Sequence, residues 1–392
     1  MHFIKSFSLP IVLLCTLPLL LPSCKEKADT NATTVEKSDK LVNPKDWESI
    51  KALPLDPAIE AQIDELLPKL TLEQKVGQVI QADNASITPE EVKKYRLGSI
   101  LSGGNSAPGP LPYADTKAWL EMADKYYNAS IDPEGVEVAI PCIWGIDAVH
   151  GHANLSSAIV FPHNIGLGAM NNPDLIEQIA AVTAHELTVS GHDWTFAPTL
   201  AVPQDLRWGR SYEGFSEDGA LVKSYADRIV YGLQGRVGED DFMGAGRVIS
   251  SAKHFLADGA TEKGVDQGDA KISEEELRNV HAAGYYSAIP AGVQTVMAHG
   301  QVPGCTNTDC PQSLNAGLDM YMAPDSWRGL YESTLKHAQS GTIPMSRLDD
   351  AVRRILRVKI ASGIFTKGAP STRPNAGNEK LLGLPKHRAI AR

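Results

Sequence analysis

The stretch Cys142-Ile143-Trp144-Gly145-Ile146-Asp147-Ala148-Val149-His150-Gly151 carries five apolar or small residues straight into a polar cluster. Short apolar runs of the same kind recur at 98–101, 194–197, 248–252, 293–297 and 318–322, and amphipathic helical stretches separate them. That alternation is the signature of a parallel sheet with crossover helices. Several helices mark their own starts. Thr71 with Gln74, and Ser273 with Glu276, fit the capping box, and Asn172-Pro173 sets a cap residue before a first-turn proline. A last helix follows Ser346, with Leu348, Val352, Ile355 and Leu356 on one face and a stop at Gly363.

In parallel α/β folds the carboxyl ends of the strands carry the chemistry. Three polar clusters sit at or soon after such ends: 147–151, Lys253-His254, and Asp205-Leu206-Arg207-Trp208-Gly209-Arg210. Asp, Arg, Lys, His and Trp together, with no Cys/His cage and no glycine-rich phosphate loop, suit a neutral polyhydroxylated ligand. Charged groups hold hydroxyls and an indole face stacks on a sugar ring. The segment Gly166-Leu167-Gly168-Ala169-Met170-Asn171 lacks the third glycine of a dinucleotide loop, and neither Ser211 nor Ser216 lies in a Gly-x-Ser-x-Gly elbow.

Composition narrows the class further. The 392 residues are 43% apolar, enough for at least one large core, and Lys+Arg 37 against Asp+Glu 47 gives a charge of −10 that repels nucleic acid. At the start, Lys5 precedes the apolar run 9–21, too short to span a bilayer comfortably but suited to a secretory signal. The expected organisation is a signal peptide over 1–23, a polar tether over 24–45, a barrel domain over 46–365 and a linker over 366–392. Leu21-Pro22-Ser23-Cys24 resembles the cleavage-and-lipidation box of bacterial lipoproteins. The expectation is an exported periplasmic or outer-membrane protein, touching membrane only through a lipid on Cys24. Cys305 and Cys310, five residues apart, are expected to clip a loop as a disulfide; no metal site is expected beside them.

At the polar clusters the chain resembles a known family. The stretches 140–151, Phe161-Pro162-His163-Asn164-Ile165-Gly166-Leu167-Gly168-Ala169, Arg207-Trp208-Gly209-Arg210-Ser211-Tyr212-Glu213 and Ala252-Lys253-His254-Phe255 resemble, in this order, the first domain of glycoside hydrolase family 3. This is the β-glucosidase and exo-glucanase group. The resemblance implies a (β/α)8 TIM-type barrel, a retaining double-displacement mechanism, a β-glucoside or β-glucan oligosaccharide as partner, and no cofactor. It also implies a glucosyl pocket in which Asp147, Arg210, Lys253 and His254 bind hydroxyls. Taken singly, Asp147 reads equally well as a helix cap, Arg210 as the ion-pair partner of Glu213 or Glu217, and His254 as a core histidine. Trp208 either lines the pocket or packs beneath Arg210.

The resemblance breaks at one place. In the family, the strand matching Thr295-Val296-Met297-Ala298 leads through a loop and a helix to another strand ending in Ser-Asp-Trp or Gly-Asp-Trp, whose aspartate is the nucleophile. Here Ala298 runs directly into His299-Gly300-Gln301-Val302-Pro303-Gly304-Cys305, a stretch that resembles the family's sequence after that motif. About 35–40 residues, the size of one βα unit, are absent. Asp258, Asp266 and Asp319 match other family positions and do not replace the nucleophile. In the N-acetylglucosaminidase branch a histidine follows the Lys-His motif where this chain has Asp258. The family's acid/base comes from a second domain beyond the linker. No catalytic residue is therefore assigned, and the barrel is expected to be incomplete and the chain catalytically impaired. The alternatives are an envelope-tethered sugar-binding pseudoenzyme, and a sequence from which the segment was lost by error.

Overall fold

The computed structural model describes residues 43–392 except 52, 104–105, 110–113 and 301. The signal segment, Cys24 and the tether through residue 42 lie outside the described residues. After α1 (Pro57–Leu66) and α2 (Leu72–Gln78), strands and helices alternate: β1 (Ile80–Asp83), α3 (Pro89–Tyr95), β2 (Ser99–Ser102), α4 (Thr116–Ser130), β3 (Ile143–Ile146), α5 (Asn164–Met170), α6 (Pro173–Val189) and β4 (Trp194–Thr195). The series continues through α7 (Gly219–Gln234), β5 (Ser251–Phe255), α8 (Glu274–Glu276), α9 (Tyr285–Ala288), β6 (Thr295–Ala298), α10 (Pro311–Asn315) and β7 (Tyr321–Met322). It ends with α11 (Trp327–Ser340), α12 (Met345–Ala361) and α13 (Pro385–Ile390).

All strand pairs are parallel. One sheet has the order β4-β3-β2-β1-β7, and β5 pairs with β6. Isolated parallel bridges from Trp194 to Ile249 and from Thr199 to Lys253 join the two sets. The result is a seven-strand arc, β7-β1-β2-β3-β4-β5-β6, in which no pairing among the described residues joins β6 to β7. The fold is an incomplete (β/α) barrel, open where the sequence runs from Ala298 into His299. Closure fixes strand number, tilt and shear together, so removing one strand leaves two edges rather than a smaller ring.

Burial follows from that opening. Every residue of β1, β2 and β3 is buried, whereas β6 alternates between half-buried and exposed. Val296 is 44% exposed and Met322 42%, both apolar residues beside the gap.

The helices form where the capping residues place them. Thr71 and Gln74 close a reciprocal capping box at α2, and Asn172 accepts from the Leu175 amide ahead of Pro173 at α6. On α12, Leu348, Val352, Ile355 and Leu356 are buried, and the chain turns away at Gly363 with φ +71°.

Residues 366–392, which composition marks as a linker, lie packed on the helices. Asp124 on α4 accepts from the Ser371 amide and hydroxyl, and Arg373 pairs with Asp193 at 2.6 Å. Glu186 on α6 accepts from Gly383 N and His387 Nδ1 through Oε1, and from the Ile159 amide through Oε2. Content of Pro, Gly and Lys does not reveal such contacts, because a few side chains make them. Cys305 and Cys310 are joined by a disulfide.

Lys359 on α12 is fully buried, and its Nζ donates to Gln78 Oε1 and Pro141 O, both at 2.7 Å. Burial pushes the amine down to about 7 from an ordinary 10.5. A neutral amine still has two hydrogens, so both bonds survive deprotonation. Between about pH 7 and 10.5 the unfolded chain holds the extra proton, so this group makes stability rise with pH across that window. Relative to Lys359→Met, the wild-type melting temperature is expected to gain roughly 3–5 °C between about pH 7 and 9. Parallel curves for the two proteins would show that Lys359 does not titrate there.

Candidate functional site

The three polar clusters meet at the carboxyl ends of the strands. Asp147 follows β3 directly, Lys253 and His254 belong to β5, and Arg210 stands in the loop between β4 and α7. Lys253 Nζ pairs with Asp147 Oδ1 at 2.6 Å. The lysine side chain is 3% exposed and the aspartate 52%, so the carboxylate faces outward while its partner anchors it from within. That leaves the second carboxylate oxygen of Asp147 for a ligand hydroxyl.

Arg210 forms a second arm. Its Nε and Nη2 donate to the two oxygens of Glu213 at 2.7 and 3.0 Å, a planar fork. Burial lifts the Glu213 carboxyl, but the Arg210 bonds outweigh it and hold the group below its ordinary value. The same Nη2 lies 3.0 Å from His254 Nε2. A guanidinium only donates, so Nε2 accepts and the imidazole proton sits on Nδ1, which donates to Asp258 Oδ2 at 2.5 Å. Burial, then the charges of Lys253 and Arg210, push His254 down to about 2, which keeps it neutral. Asp258 is pushed up to about 6 by burial, against the pull of Arg210 and His299. The relay Glu213–Arg210–His254–Asp258 thus fixes one tautomer and one ring orientation.

His299, just after β6, places its ring 4.9 Å from that of His254. Together His254, Asp258 and His299 offer ligand atoms within 4.8 Å of one another. A metal on His254 Nδ1 would force the proton onto Nε2, where it would face the Arg210 donor. We therefore read His254 and Asp258 as a hydrogen-bonded pair with the His299 ring packed beside it.

All four candidate sugar-binding residues come together here. Arg210 also keeps the ion-pair partner that its sequence neighbourhood suggests, Glu213, and His254 has both nitrogens bonded. Trp208 is 1% exposed and donates to Asp266 Oδ1 at 2.9 Å, so it packs behind the arginine loop. Asp218 caps α7, accepting from Ala220 N, and Asp319 pairs with Arg347 at 2.6 Å, away from the cluster. Sequence alone places Asp258 in a loop and gives His299 no role. The four-residue spacing from His254 to Asp258 is the available signal for the first; the second depends on the altered junction at Ala298.

The family model described as the glycosyl hydrolase family 3 N terminal domain matches residues 71–310 and 299–358. The chain belongs to that family. The two matched segments overlap at 299–310, beside the junction where the arc is open. Among relatives, a lysosomal β-glucosidase of Dictyostelium discoideum is 30% identical over 84% of this chain and 47% of its own length. A periplasmic β-glucosidase of Salmonella typhimurium is 28% identical over 80% and 43%. The chain spans about half the length of these curated relatives. Among solved structures, an exo-1,3/1,4-β-glucanase from a Pseudoalteromonas species superposes with a TM-score of 0.85 at 44% identity, over 88% of this chain and 48% of that one. This family-3 barrel therefore keeps the arrangement of a glucanase domain over most of its length.

Proposed function

We propose that this family-3 barrel holds the terminal glucosyl residue of a β-glucoside or β-glucan oligosaccharide through Asp147, Arg210, Lys253 and His254. The supporting observation is the convergence of the Lys253–Asp147 pair and the Arg210–His254 contact at the strand ends. The 44% identity to an enzyme described as an exo-1,3/1,4-β-glucanase favours a β-linked glucan over other sugars. Retaining hydrolysis requires a carboxylate at the anomeric carbon and an acid on the leaving oxygen. The residues of this cluster supply hydroxyl binding and a neutral histidine, and the family's nucleophile segment is missing at Ala298–His299. The protein thus acts as a binder of β-glucosyl groups and is impaired in turnover. Glucose titrated by calorimetry into wild type should give saturable heat that Asp147→Asn weakens at least about tenfold, the value of a charge-assisted hydrogen bond. Equal heats from the two proteins would remove the assignment.

Two relatives described as periplasmic and lysosomal agree with an exported protein, the reading given by the apolar run at 9–21. Anchoring through Cys24 is part of the same proposal. A labelled fatty-acid precursor should enter the wild-type chain and not Cys24→Ser; equal labelling would refute it.

A further inference from the structure

We propose that a cleft on the outer flank of the arc is a second carbohydrate site, separate from the mouth at the strand ends, that takes internal glucosyl residues of a β-glucan chain. The cleft measures about 430 Å³, within the ~300–1,000 Å³ typical of small-molecule sites. Its walls come from three places: the turn at Pro44–Asp46 with Trp47 and Glu48 after it, the start of α7, and the broken helix between β5 and β6. That helix runs through α8, a π-turn at Leu277–His281 and α9. None of Asp147, Arg210, Lys253 and His254 lines the cleft.

The side chains gathered there suit a sugar. Trp47 Nε1 donates to Glu274 Oε1 at 2.8 Å, an in-plane bond that pins the indole by its edge and leaves its faces for stacking. Tyr286 contributes a second ring, with Lys223 Nζ 5.4 Å from its centroid. Arg278 donates through Nε to Asn279 Oδ1 at 3.1 Å and pairs with no carboxylate among the described residues. Its terminal nitrogens and the Asn279 amide nitrogen thus remain as donors. Lys223 meets Glu48 at 3.2 Å, and Asp46 and Glu48 together balance the charges of Lys223 and Arg278. A wall of zero net charge does not gather phosphate or free carboxylate. Two rings with donors and acceptors beside them fit a neutral polyhydroxylated ligand.

Position gives the cleft its use. α7 starts soon after the loop that carries Arg210, and α8 follows the loop beyond His254, so both helical walls begin at the end of the barrel where the mouth lies. A glucan chain held at the cleft raises the local concentration of chain ends at the mouth, which links two weak sites through one polymer. The β-glucan class rests on the reading of the mouth given above; the place of the second site does not.

Native gels cast with soluble β-1,3/1,4-glucan test the cleft, while the glucose titration above reads the mouth. The full chain should be retarded by the polymer. Trp47→Ala and Arg278→Ala should each weaken the apparent glucan affinity about five- to tenfold, the worth of one stacked ring or one charge-assisted bond, with glucose heats unchanged. Arg278→Ala removes no ion pair, so it keeps the test readable if Trp47→Ala loosens the turn before it. Asp147→Asn should do the reverse, weakening the glucose heats while the gel retardation persists. An unretarded wild type, Arg278→Ala retarded like wild type, or retardation lost only in Asp147→Asn would each overturn the proposal. Absent glucose heats with retardation still sensitive to Arg278 would remove the mouth assignment and leave the cleft standing.

Discussion

Purified as it stands, the chain should release no aryl group from p-nitrophenyl β-glucoside above the buffer rate. A version carrying the glucanase βα segment between Ala298 and His299, with the remainder of that enzyme joined after Arg392, should be faster by at least about 10⁴. Positioned acid catalysis alone is worth about 10²–10⁴, and loss of the covalent route removes a further factor that hydroxyl binding does not replace. Asp258, although pushed up to about 6, is buried and engaged by His254, so it lacks access to an anomeric carbon. Comparable rates from the two proteins, with host enzyme excluded, would mean that another carboxylate of this chain serves as nucleophile.

Replacing Arg210 with methionine should remove more than a ligand contact. Glu213 would lose both partners of its fork while largely buried, and His254 would lose the donor that fixes its tautomer. Breaking such a partly buried pair costs on the order of 2–4 kcal/mol, and glucose affinity should fall about 10–100-fold. Because the guanidinium is one of the charges holding His254 down, the histidine should titrate at higher pH in Arg210→Met, visible by NMR. Arg210→Lys should rescue charge but not the fork, since an ammonium does not match the planar pair of carboxylate oxygens. An unmoved His254 titration in both variants would leave Arg210 as a mere packing residue.

Much of this architecture is legible from residues alone, for reasons that differ by element. The runs at 98–101 and 142–146 fall within or beside β2 and β3 because buried central strands are written as continuous apolar sequence. Ile80–Asp83 is harder to read as a strand because Gln81 and Asp83 interrupt the run. They sit inside the barrel, where Gln81 Nε2 donates to Ser99 Oγ at 2.7 Å and Asp83 receives the Gly103 amide. The run 248–252 corresponds to a strand that starts later, at Ser251, because Ile249 makes only an isolated bridge to Trp194. At the site, motifs bring Asp147, Arg210, Lys253 and His254 together, but spacing does not encode a proton's position. The tautomer of His254 emerges only once Arg210 and Asp258 are seen on opposite ring nitrogens.

Glu186 gives the tail a mechanical meaning. One carboxylate oxygen grips residues 383 and 387, and the other grips Ile159 in the segment that begins at Asp147 and leads into α5. A single rigid side chain on α6 therefore spans from the last turns of the chain to the loop that presents the outward-facing carboxylate. A shift of the helix Pro385–Ile390 would therefore be felt first through Glu186 at Ile159, in the loop that follows Asp147, and not through the barrel interior.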